Sequence, residues 1–145
     1  MKISNNKVEI SEHLKLPSKT TSISVYEKFL DDLCSKHKIS ERCYGNMLIA
    51  VTEAVNNAII HGNQSDRNKE VLLTFTKNNN TVVFCIHDQG PGFEYDNLPD
   101  PTDPENLEKL NGRGVFLMKN LADKVEFEKK GTIVKLYFFT VHDEE

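Results

Sequence analysis

Between Ser40 and Gly62 the chain carries one helical pattern that is apolar on most of its faces. Met47, Leu48, Val51, Ala54, Val55, Ala58 and Ile59 recur at helical spacing. Such a helix must lie against other structure, so the pattern predicts a packed layer with this helix largely buried. Ser40 is placed to cap it, with Cys43 standing where a capping-box glutamate would be. Gly62 fits the left-handed residue that commonly ends a helix, and His61 fits an imidazolium favoured at the helix C-terminus. Glu53 and Asn57, four residues apart, stack on one face. Polar groups in an otherwise buried helix are costly without partners.

The flanking patterns are of two kinds. Val8 to Leu16 alternates loosely and stops at Pro17, predicting an edge strand. Val25, Phe29, Leu30 and Leu33 predict a helix capped by Ser22 or Ser24. Glu70 to Thr76 and Thr81 to His87 predict a hairpin turned by the asparagines of Lys77-Asn-Asn-Asn80. Val115, Phe116, Met118 and Leu121 predict a short helix, and Lys124 to Glu128 with Thr132 to Thr140 a closing hairpin turned at Lys129-Lys-Gly131. Residues from about 93 to 111 lack periodicity and contain Pro99, Pro101 and Pro104. A loop this long in a compact domain is usually functional, often a lid. Helices and hairpins segregate rather than alternate, which predicts an α+β layer sandwich formed as one domain over residues 1–145.

Composition removes several classes of function. A formal charge of -4 offers no basic field for counterion-driven binding of nucleic acid. No apolar run suits a signal peptide or a membrane span, which predicts a soluble cytoplasmic protein. Without secretion, the sequons Asn63-Gln-Ser65 and Asn79-Asn-Thr81 carry no meaning. Cys34, Cys43 and Cys85 are odd in number and form no CxxC pair, so they read as reduced thiols.

Three short stretches carry chemistry. In Glu53-Ala-Val-Asn-Asn57 the glutamate can accept a proton from an attacking hydroxyl or water, and Asn57 can offer its carbonyl oxygen to Mg²⁺. In Asp88-Gln-Gly90-Pro-Gly92 a carboxylate at a strand end can accept a hydrogen bond from the exocyclic amine of adenine. Gly90 and Gly92 would let the backbone approach base and ribose. In Gly112-Arg-Gly114, opening a helix, free N–H groups and the positive helix end suit phosphates, although no Walker loop is present. Each stretch alone has a structural alternative: a solvated polar stripe, a proline-glycine turn, a hinge before a helix. Together, in this order, they predict an ATP site. The lid sets Glu94, Asp96, Asp100, Asp103, Glu105 and Glu108 against Lys109 alone, so the phosphate cation must come from elsewhere. Arg113, between the two glycines, is best placed by sequence; Lys109 and Lys119 are weaker candidates.

As a set these motifs resemble the Bergerat-fold ATPases, the superfamily of gyrase, the heat-shock chaperone ATPase, histidine kinases and mismatch-repair ATPases. Glu53 and Asn57 match its N box, Asp88-x-Gly90-x-Gly92 its first glycine box and Gly112-x-Gly114 its second. Gly131-Thr132 resembles its last motif, in which a threonine hydroxyl helps bind adenine. The likeness runs from about the first strand to Phe139. It implies a two-layer α/β sandwich with helices on one face of a mixed, mostly antiparallel sheet. Within the superfamily, Thr52-Glu-Ala-Val-Asn-Asn-Ala-Ile-Ile-His-Gly62 is most like the N box of the anti-sigma-factor serine/threonine kinases of bacterial partner-switching systems. That resemblance implies a homodimeric kinase using ATP and Mg²⁺, which phosphorylates a small anti-sigma-factor antagonist and sequesters a sigma factor. It makes Glu53 the general base, Asn57 the Mg²⁺ ligand and Asp88 the adenine reader. The alternatives are a nucleotide-gated sequestering module with little turnover, a detached histidine-kinase catalytic domain, and a structural domain with coincidental glycines.

Overall fold

The computed structural model describes residues 9–91 and 110–139, with the backbone alone over 110–113. Gly92 and the expected lid up to residue 109 lie outside the described residues. The elements follow in the order β1 (Glu9–Pro17), α1 (Ser22–Lys36), α2 (Glu41–Asn57), a π-helical turn (Ala58–Gly62), β2 (Glu70–Asn78), β3 (Thr81–His87), α3 (Leu110–Leu121), β4 (Lys124–Glu128) and β5 (Ile133–Phe138). This is the expected α+β order. The strands form one sheet in the order β1-β2-β3-β5-β4. Every pairing in it is antiparallel, so the expected mixed sheet is antiparallel throughout the described residues. β1 is an edge strand, as Pro17 requires.

Strand periodicity separates the two faces. On β2 and β3, Val71, Leu73, Phe75, Val82, Phe84 and Ile86 are buried, while the residues between them are half-exposed. α2 lies against the buried face, touching β3 and β5, and packs between α1 and α3. Its Met47, Ala50, Val51, Ala54 and Val55 are at most 1% exposed, as a helix apolar on most faces demands. Glu12, opposite Phe75, is a charged residue of the inner row. It pairs with His37 Nε2 at 2.8 Å and Lys36 Nζ at 3.1 Å, and the His37 ring stacks on Phe75. No helix among the described residues is long and apolar enough to cross a membrane.

Helix ends follow the chemistry of their residues, with three departures from expectation. Ser40 caps α2, its Oγ accepting from the Arg42 N–H at 3.1 Å. α1 is entered from Thr21 without a side-chain cap, because Ser22 is already helical and donates its hydroxyl to the Pro17 carbonyl. Tyr26, not Val25, then takes the buried position; Val25 is 51% exposed. α2 does not end on a left-handed Gly62. The chain widens into the π turn, the Asn63 N–H reaches back to Ala58 O, and positive φ falls at Gln64 and Ser65. Such π turns occur frequently at functional sites.

Candidate nucleotide site

The site gathers where α2, the π turn, the end of β3 and the start of α3 meet. Asp88 follows β3 and extends its ladder with β5, the Asp88 N–H donating to Thr132 O at 2.9 Å. Its side chain folds inward to 6% exposure and accepts from the Gly90 N–H at 2.8 Å. Burial pushes the carboxyl pKa up, against the opposing pull of that N–H, His87 and Lys69.

Two glycines make this arrangement possible. A Cβ on Gly62 would stand 2.4 Å from Asp88 Oδ2, and one on Gly90 would stand 1.7 Å from the Gly62 carbonyl oxygen. The end of the π turn and the Asp88–Gly90 loop are therefore in direct backbone contact. Gly62 is needed for close approach rather than for a left-handed turn.

The second half of the site is the contact between α2 and α3. A Cβ on Gly114 would lie 2.8 Å from Asn57 Nδ2 and 3.2 Å from Glu53 Oε1. The structure thus brings Glu53, Asn57 and Gly114 together. α3 begins at Leu110, so Gly112, Arg113 and Gly114 lie inside its first turns instead of preceding it. The alternative of a hinge before the helix does not hold: Gly114 is helical, and two polar side chains occupy its flank. Lys119, a weaker phosphate candidate by sequence, sits 6.0 Å from the centre of the Phe127 ring. Thr132 meets Asp88 through its backbone, while its hydroxyl donates to Lys129 O at 2.9 Å.

Between the two halves lies a pocket with an apolar floor of Ala54, Ala58, Ile86, Met118, Phe127 and Val134. Asn57, His61 and Asp88 supply its polar groups. His61 contradicts the reading of it as a charged helix cap. Desolvation lowers its pKa, which favours the neutral ring, and its buried Nε2 has no partner among the described residues. An apolar lining with convergent polar groups, and a ring nitrogen without a partner among the described residues, has the chemistry that a planar, hydrogen-bonding ligand such as a nucleobase calls for.

Sequence reasoning missed Asn63, taken only as part of a sequon. It is fully buried, and its amide joins Gln89, Ser18 and Glu70. The available signal was a polar residue directly after a long buried helix.

Comparison with known proteins identifies the family and the fold. The chain is 25% identical over 138 residues to the serine-protein kinase RsbW of Oceanobacillus iheyensis, covering 91% of this chain and 87% of that protein. It is 26% identical over 121 residues to RsbW of Bacillus subtilis, covering 79% and 76%. A crystal structure of RsbU and RsbW domains from Mycobacterium tuberculosis superposes with a TM-score of 0.65 at 14% identity, a likeness of fold. The match spans 90% of this chain and 32% of that longer one. Residues 16–138 match the family model of the histidine kinase-like ATPase domain. The chain belongs to that ATPase-domain family.

Proposed function

We propose that this protein is an ATP-dependent serine/threonine kinase that phosphorylates a small anti-sigma-factor antagonist and, as a homodimer, sequesters a sigma factor. The observation that carries the catalytic part is the approach of Glu53 and Asn57 to Gly114, beside the pocket that Asp88 enters. The names of the RsbW relatives support the choice of a serine acceptor.

Each residue has a role in this reading. Asp88 accepts from the exocyclic amine of adenine, the apolar floor covers the base, and Gly90 and Gly92 admit the backbone close to base and ribose. Thr132, whose backbone is tied to Asp88, adds an adenine contact. Gly112 and Gly114 leave the first turn of α3 open to phosphate oxygens, and Arg113 supplies their countercharge. Asn57 is the residue to hold Mg²⁺, which when bound neutralises charge developing on the phosphates. Glu53 takes the proton of the attacking hydroxyl. A pure binding module would use the same pocket and have no need of that base.

Incubating the protein with labelled ATP-Mg²⁺ and antagonist candidates from its genomic neighbourhood tests the reaction. The expected result is acid-stable label on a serine or threonine. Tight ATP binding without transfer to any acceptor would favour the sequestering module, and acid-labile label on histidine would overturn the acceptor class.

A further inference from the structure

The Asp88–Gly90 loop is held by a network centred on Asn63, a residue outside the three motifs. Asn63 Oδ1 accepts the Gln89 N–H at 2.6 Å. Its Nδ2 donates to Ser18 Oγ at 2.9 Å and to Glu70 O at 3.1 Å. The orientation of the amide is forced, because the Gln89 N–H can only donate and the Glu70 carbonyl can only accept. Ser18 Oγ spends its own proton on Lys69 O at 2.7 Å, so it serves Asn63 as an acceptor. Gln89 returns the connection, its Oε1 accepting the Glu70 N–H at 2.7 Å. One side chain at 0% exposure thus ties the ends of β1 and β3 and the start of β2 to the π turn.

The tie sits where the adenine-facing geometry is set. Asn63 follows Gly62, whose Cα backs the Asp88 carboxylate and whose carbonyl lies against Gly90. Gln89 is the residue between Asp88 and Gly90. Releasing its N–H frees the loop to lift from Gly62, and Asp88 moves with it. We propose that Asn63 is a positioning residue for nucleotide binding: its amide clamps the Asp88–Gly90 loop onto the π turn and so fixes the carboxylate that reads the base. The inference rests on the nucleotide reading of the pocket and adds a determinant outside the motifs.

Two variants separate positioning from general support. Asn63→Ala removes all three hydrogen bonds. Asn63→Asp keeps an acceptor for the Gln89 N–H but turns a carboxylate oxygen toward the Glu70 carbonyl, which costs stability. Titration calorimetry of the full chain with Mg-ATP gives Kd for folded molecules and, through stoichiometry, their fraction; thermal melts run beside it. Losing a buried hydrogen bond that orders the site should raise the ATP Kd of Asn63→Ala roughly tenfold. Asn63→Asp should melt no higher than Asn63→Ala yet bind ATP more tightly, since the loop-holding bond survives. Wild-type Kd in both folded variants would overturn the proposal, as would affinity that falls in step with melting temperature in both. A wild-type protein that fails to bind ATP would instead remove the nucleotide site itself, and the positioning role with it.

Discussion

Burial and charge pull against each other at Asp88. The carboxylate is nearly enclosed, and desolvation raises its pKa despite the hydrogen bond from Gly90. Below the ordinary aspartate pKa of about 3.9 the group is protonated in folded and unfolded chains alike and has no effect on the balance. As pH rises from there to the raised folded value, the unfolded chain ionises first, and stability falls. The loss persists above that window. Asp88→Asn removes this charge, so the ligand-free variant should melt higher at pH 7, by roughly 2–4 °C per kcal/mol relieved, and lose this fall of stability with pH. Its preference for ATP over GTP should shrink at the same time. An unchanged or lower melting temperature in a calorimetric scan would contradict the account of the buried carboxylate. At this scale the gathering of Glu53, Asn57 and Asp88 at one place was legible because such residue types stand late in a buried helix and at a strand end. His61, Gly62 and Asn63 were not: the first two read as helix-end residues and Asn63 as part of a sequon, while their actual surroundings include the residues after β3.

At the scale of elements, two glycines that look alike in sequence do different work. Both are contact points, but Gly90 meets the backbone of Gly62 whereas Gly114 meets the ends of the Asn57 and Glu53 side chains. A side chain can swing aside; a π turn tied to three strands cannot without breaking hydrogen bonds. Ala is favoured over Gly within a helix by about 1 kcal/mol, which offsets much of the strain of Gly114→Ala in α3. Gly114→Ala should therefore unfold within about 1 kcal/mol of wild type while Mg-ATP affinity falls roughly tenfold or more. Gly90→Ala should lose both stability and binding. Paired denaturation and binding curves check this, and equal stability losses would refute the distinction. The hairpins, the Ser40 cap and the edge position of β1 were readable from turn residues and alternation. The π turn was not, since widening a helix by one residue leaves no periodic signal, and α3 starts at Leu110, five residues ahead of the apolar pattern that opens at Val115, where Gly112 and Gly114 interrupt the helical signal.

For the whole molecule, the decisive arrangement is one sheet face carrying one buried helix. That packing fixes α2 in register, and the register delivers Glu53 and Asn57 to Gly114 at one end of the core. Segregated helices and hairpins made the layer architecture legible in the sequence; the all-antiparallel order β1-β2-β3-β5-β4 depends on long-range pairing that local patterns do not encode. If this framework supplies a base to a nucleotide site, binding and chemistry must be separable at Glu53. The most direct measurement is Mg-ATP affinity and phosphotransfer to the antagonist compared in wild type and Glu53→Gln. A catalytic base at Glu53 predicts an ATP Kd close to wild type with transfer reduced about 10²–10⁴-fold. Transfer that survives the substitution at the wild-type rate would contradict it.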